Sequence, residues 1–131
     1  MNGRTLLLIL TAVLAGSLAS CDSNPYVPPV CTTEYVWGLE IRIVDRETGG
    51  PTGLGASVVI RDGEYVENRI GEDFGPLGVA ALAAGERAGF YDITINADGF
   101  REWSRERVLV SGNQCHVITE KILAELEREE P

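Results

Sequence analysis

Apolar and polar residues alternate with a period of two along much of this chain, the spacing of half-buried strands. Between residues 35 and 45, Leu39, Ile41 and Ile43 fall on one side, with Glu40 and Arg42 on the other. Residues 56–62 (Ala56, Ser57, Val58, Val59, Ile60, Arg61, Asp62) predict a second strand, ended by the Asp62-Gly63 turn signal, and Tyr65-Val66 begins its hairpin partner. The alternation returns at 89–96, where Ile93 and Ile95 oppose Asp92 and Thr94, and again at 100–110, a charged strand ending in Val108, Leu109 and Val110. Turns are predicted at Gly49–Gly55, at Asp98-Gly99 and at Ser111-Gly112-Asn113. Residues 67–78 are the least regular stretch, and the alanine-rich 79–83 reads equally as a short strand or a turn of helix. The segment 115–126 closes the domain, with strand favoured at Val117-Ile118-Thr119, helix possible at 124–130, and disorder expected after Glu127. About seven short strands with regular turn signals predict an all-β fold, an antiparallel β-sandwich.

Before this pattern begins, the chain has a different character. Arg4 precedes an apolar run from Leu6 to Ala15. That run is too short for the ~20 residues of a membrane span but fits the h-region of an export signal. It leads into Leu18-Ala19-Ser20-Cys21, which resembles a bacterial lipobox: a branched apolar residue, two small residues, then the cysteine that is diacylated before cleavage. The resemblance implies a signal peptide at 1–20 and a lipidated Cys21, whose acyl chains would hold the protein to a membrane. Residues 21–34, with Pro25, Pro28 and Pro29, then read as a short stiff tether. The β-sandwich is expected over 35–127 and a disordered tail over 128–131. The residues do not fix which membrane leaflet carries the anchor.

Lipidation also changes the cysteine arithmetic. Of the three cysteines, Cys21 is used by lipid, and Cys31 and Cys115 become an even pair in an oxidising compartment. A Cys31–Cys115 disulfide would join the start of the first strand to the start of the last. Two cysteines and the adjacent His116 are too few ligands for a structural zinc.

Charge narrows the partners. Arg4 is the one basic residue before position 21, which leaves ten basic against twenty acidic side chains and a formal charge of −10 beyond it. Such a surface repels phosphate backbones, which argues against nucleic acid, and gains nothing from anionic headgroups, so lipid must supply any membrane attachment.

Residues 56–63 and the stretch 89–100, with Gly89, Phe90 and Tyr91 at one end and Gly99 and Phe100 at the other, resemble the carboxypeptidase regulatory-like domains. The closing residues 115–119 resemble the last strand of exported members. The resemblance implies a transthyretin-like (prealbumin-like) sandwich and a non-catalytic module. The 5-hydroxyisourate hydrolases share the broader fold but rely on several histidines, an arginine and a characteristic C-terminal tail. This chain has one histidine and ends Arg128-Glu129-Glu130-Pro131.

Catalytic signals are sparse. A nucleophile needs a base beside it, and His116, the single histidine, is expected at a surface or strand edge. Glu72-Asp73 reads as a solvated pair, Asp92, Asn96 and Asp98 lack the spacing of a calcium loop, and the Gly49–Gly55 loop lacks the lysine of a phosphate-binding loop. No enzyme activity, metal or cofactor is expected. Arg101, Trp103, Arg105 and Arg107, at alternate positions of one strand, form the main basic patch of an acidic chain and the candidate partner-binding face for an envelope protein or glycan. The alternative is a carbohydrate-binding module that uses Trp37 and Trp103 together on one exposed surface.

The expected intact mass under non-reducing conditions is that of a diacylated chain beginning at Cys21, with two alkylatable thiols appearing only after reduction. An unlipidated chain or free thiols would break the parity argument.

Overall fold

The computed structural model describes residues 25–131. The export signal and Cys21 lie outside the described residues. Pro25 to Glu34 run exposed without regular structure. No helix among the described residues is long and apolar enough to cross a membrane.

Eight strands follow: β1 (Trp37–Asp45), β2 (Ser57–Asp62), β3 (Tyr65–Ile70), β4 (Glu72–Asp73), β5 (Val79–Gly85), β6 (Gly89–Asn96), β7 (Trp103–Val110) and β8 (Glu120–Leu126). They form two four-stranded sheets, ordered β4-β5-β1-β8 and β3-β2-β6-β7, packed as an all-β sandwich. The inward residues are those the alternation selects. Leu39, Ile41 and Ile43 meet Val58, Ile60, Ile93 and Ile95 between the sheets, all essentially without exposure.

The expected sandwich stands, with corrections. Among the described residues there are eight strands where about seven were expected, and one pairing is parallel: β1 lies beside β8 in continuous register from Leu39 opposite Glu120 to Asp45 opposite Leu126. The stretch 67–78 is more regular than its glycines suggest. β3 runs on to Ile70, and the chain then crosses to the other sheet at Gly71, where a Cβ would strike the Gly53 carbonyl. The ambiguous alanines of 79–83 form β5, because antiparallel pairing with β1 buries Ala81 and Ala83 opposite Ile41 and Leu39. At the C-terminus the strand falls later than expected and no helix forms. Val117 makes one isolated bridge to Gly112, and β8 continues through Ala124 to Leu126.

The expected disordered tail at 128–131 is pinned at its first two residues. Arg128 bridges Phe100 and donates from Nε to the Asp45 carboxylate at 2.7 Å, and the Glu129 N–H donates to the Gly99 carbonyl at 3.0 Å. Asp45 is 2% exposed. Burial by itself would raise its carboxyl, but the N–H groups of Glu47 and Thr48 and the Arg128 guanidinium outweigh that and hold it below its ordinary value.

Two further ties lie at the end of the sandwich opposite Asp45, where β1 and β6 begin. Cys31 and Cys115 form a disulfide with Cα atoms 5.2 Å apart. Parallel pairing explains their meeting, since it places the starts of β1 and β8 at the same end. Tyr91, fully buried, donates its hydroxyl to the Arg87 carbonyl four residues back at 2.8 Å and accepts from the Arg87 guanidinium, which also binds Asp62.

Tyr91→Phe is expected to cost about 1–3 kcal/mol, because the Arg87 groups lose a buried partner, measured by urea denaturation. Asp45 has a depressed folded pKa, so its contribution is complete above the unfolded value and is lost as pH falls through the folded one. Arg128→Ala removes part of that depression and should move the acid-unfolding midpoint to higher pH.

Candidate functional site

Along one side of the sandwich β7 and β8 are edge strands of different sheets, which lie close to each other without pairing. Two open grooves border these strands. One, of about 290 Å³, is lined by Arg46, Arg101, Trp103, Arg105 and Leu123 together with acidic side chains. The other, of about 380 Å³, continues past Arg105, Glu106 and Arg107 to Val108, Leu109, Glu120 and Ile122. They share Arg105 and run as one seam along the sandwich.

The geometry separates the four residues of the predicted face. Trp103 pairs with Ile95 and Arg105 with Ile93, so both lie on the core side of β7, at its rim. Trp103 is half-buried against the core and Arg105 lies over its ring at 5.5 Å. Arg101 precedes the strand and shares Glu127 with Arg46, each at 3.3 Å. Arg107 stands differently from the other three. The register shifts between Tyr91 and Ile93, so that Glu106 and Arg107 together oppose Asp92, a β-bulge. Arg107 takes a left-handed φ of 54°, its N–H donates to the Asp92 carboxylate at 2.9 Å, and its guanidinium lies over Phe90. Phe90 pairs with Leu109 on the outer face, opposite to the core-side Val108 and Val110. The bulge therefore takes Arg107 out of strict alternation with Trp103 and Arg105, although it still lines the second groove beside Arg105.

Trp37 lies across the molecule. It lines a cleft of about 450 Å³ with Asn68, Arg69, Phe74 and Leu82, at the side where β3 faces β4 and β5. Arg69 covers its ring at 4.7 Å and Tyr35 meets it edge-on at 5.1 Å. The two indoles thus line separate grooves and do not form one platform. This side is bridged by Glu67, which accepts from the Ala84 N–H at 3.0 Å, the Tyr65 hydroxyl at 2.8 Å and Arg69. Burial would raise the Glu67 carboxyl, but these donors hold it below its ordinary value. Burial and Glu67 together push the Tyr65 phenol up to about 12.

One constellation escaped the sequence reading. His116 Nε2 lies 3.0 Å from the Thr32 hydroxyl and Nδ1 lies 2.8 Å from the Glu86 carboxylate, which also accepts the Val36 N–H at 2.8 Å. That N–H, with His116 adding to it, holds the Glu86 carboxyl below its ordinary value against burial. The order hydroxyl–imidazole–carboxylate is that of a nucleophilic triad, but neither the seam nor the Trp37 cleft borders it. It fastens the entering chain to the strained 84–86 loop, where Ala84 and Glu86 have positive φ. Its signal was available: a 31–115 disulfide makes Thr32 and His116 neighbours. Among the described residues, no three His, Cys, Asp or Glu side chains gather to hold a metal ion. Asp92 is occupied at the bulge, apart from Asn96 and Asp98 at the far end of β6.

No known protein family matches the chain, and no curated protein matches it.

Trp103→Ala is expected to cost about 2 kcal/mol through lost packing, whereas Arg105→Ala should cost less than about 0.5 kcal/mol. Paired urea titrations check this and make Arg105 the cleaner position for binding tests.

Proposed function

We propose that this chain is a bacterial lipoprotein, anchored to the cell envelope through Cys21, whose sandwich is a non-catalytic binding or structural module of the carboxypeptidase regulatory-like, transthyretin-like kind. The observation that carries the binding reading is the β7/β8 seam. It brings Arg46, Arg101 and Arg105, interleaved with Glu102, Glu125 and Glu127, around a half-buried tryptophan beside two unpaired sheet edges. Tryptophan and arginine are the residues that interfaces favour. A protein partner is preferred over a glycan because Trp37 and Trp103 line separate grooves, so a sugar chain would find one indole at a time.

The test is a photo-crosslinking residue placed at position 105 of the full chain in living cells, with the outer-face position 61 as control. The expected result is a discrete protein adduct from 105, absent from 61 and lost in Cys21→Ser, which cannot be anchored. Equal labelling at both positions, or none at 105, overturns the binding reading. A glycan attached at 105 would put the carbohydrate-binding alternative in its place.

A further inference from the structure

An apolar strip is exposed at the end of the sandwich that receives the tether. Phe90 and Leu109 are paired across β6 and β7 on the outer face, and each is half exposed. The strip does not stop where β7 ends. Residues 111–118 fold back as a small hairpin, with Gly112 bridged to Val117 and the Ile118 N–H donating to the Ser111 carbonyl at 2.8 Å. Side chains alternate between faces in such a pairing. Val110 and Val117 are buried, so Ile118 comes out on the face of Leu109 and is half exposed as well. Cys115 lies in the turn of this hairpin and holds Cys31. The disulfide therefore fixes the tether three residues from Ile118, and the tether's own exposed apolar side chains, Tyr26, Val27 and Val30, lead away from that point.

The bulge in β7 adds a cation to the strip. Arg107 holds a left-handed backbone, which a side-chain-bearing residue adopts only at a cost, and its guanidinium lies over the Phe90 ring at 5.3 Å. Among the described residues that guanidinium has no carboxylate partner. Three carboxylates neighbour the strip. Asp92 binds the Arg107 N–H, and Glu106 and Glu120 line a groove with Arg107 and Leu109.

We infer that this strip rests on the phospholipid bilayer that holds the anchor, and so fixes which face of the sandwich turns to the membrane. The inference rests on the reading of Cys21 as lipidated. Residues 22–30 span at most ~30 Å, so the bilayer surface is the partner that the chain itself keeps within reach of the strip. The chemistry of the strip fits that surface. Apolar side chains enter the boundary between headgroups and acyl chains, while a guanidinium stays at the level of the phosphates. A zwitterionic phospholipid matches the charges on both sides: its phosphate accepts from Arg107, and its ammonium group faces Glu106 and Glu120. An anionic lipid offers those carboxylates nothing. Three half-exposed side chains are too few to hold a protein on a membrane unaided. The strip orients a chain that lipid already holds.

The experiment uses the full chain with its native lipid, purified from cells and placed in vesicles of phosphatidylethanolamine and phosphatidylcholine whose acyl chains carry a photoactivatable group. Labelled residues are mapped by mass spectrometry. Leu54, in the loop between β1 and β2 at the opposite end of the sandwich, is more exposed than any residue of the strip and serves as the internal control. The expected result is labelling at Phe90, Leu109 and Ile118 about fivefold or more above that at Leu54. Phe90→Ser combined with Leu109→Ser should lower the Ile118 label about fivefold and leave the labels at Tyr26 and Val27 unchanged. Arg107→Asn, which suits a left-handed backbone, should lower it about threefold.

The inference is overturned if Leu54 is labelled as strongly as the strip, if the strip of a lipidated chain takes no label, or if neither variant lowers the Ile118 label. Concentration-dependent amide protection over 89–92 and 108–110 without vesicles, with a dimer in sedimentation, overturns it in favour of a second copy. A chain recovered from cells without lipid sinks the anchor reading, and this contact with it. A lipidated chain labelled evenly sinks the contact alone.

Discussion

The parallel pairing of β1 with β8 is the constraint on which the rest of this structure depends. Antiparallel neighbours can be joined by a short turn, but parallel neighbours need a crossover. Here the crossover is nearly the whole domain, because six strands intervene between the two. Its formation fixes both ends of the fold at once. At the starts of the two strands it brings Cys31 beside Cys115 and so Thr32 beside His116, which faces Glu86. At their ends it brings Asp45 beside Leu126, so that Arg128 reaches the buried Asp45 carboxylate. A contact between residues so distant in sequence is entropically expensive to form. A disulfide closing a separation of 84 residues reduces that cost in the unfolded chain by about 4 kcal/mol on the chain-entropy account.

The two open sides of the sandwich are treated differently, and side-chain chemistry explains why one is a candidate site. Beside β3, Glu67 reaches from one sheet to the Ala84 N–H of the other, and its remaining lone pairs are taken by Tyr65 and Arg69. That carboxylate bolts the sheets together with its hydrogen bonds satisfied. Beside β8, among the described residues, no such bolt stands in the middle of the seam. Its ends are tied by backbone bonds at Arg101 and Gly112, and between them stands Arg105, without an acid partner, over Trp103. A polar group left to solvent at a sheet edge costs little in the free protein and remains available to a partner.

Most of the fold was legible because its core obeys the two-residue period: Leu39, Ile41, Ile43, Ile93 and Ile95 are buried where alternation puts them. The departures share a physical cause. The alanines of β5 have no intrinsic strand preference, and only pairing with β1 decides their state. Arg107 leaves the alternation because Asp92 captures its N–H across the sheet, an event that no local pattern in residues 101–107 records. The tail at 128–131 looked like a solvated run because the partner of Arg128 lies 83 residues away. The disulfide was accessible to reasoning by parity alone, yet its corollary, that Thr32 and His116 become neighbours, needed one further step. The candidate site was legible in composition, as arginines around a tryptophan, but not in shape. The seam is made by β8 as much as by β7, and β8's part in it follows from pairing with β1.

The same pairing orients the seam. Both strand starts lie at the disulfide end, and the tether enters there through Cys31. If Cys21 carries lipid, the nine residues at 22–30, several of them proline, span at most ~30 Å between membrane and domain. The Glu120 end of β8 then lies nearer the anchor along the chain, and the Glu127 end, with Trp103 and Arg101, lies about 20 Å farther along the strand. A flexible tether would let the sandwich present any side to its surroundings. Here proline stiffens the tether, and a disulfide fixes its last residue to the head of β8. If lipid is attached at Cys21, the Glu127 end of β8, with Trp103 and Arg101, is therefore the end of the sandwich farther from the point of attachment.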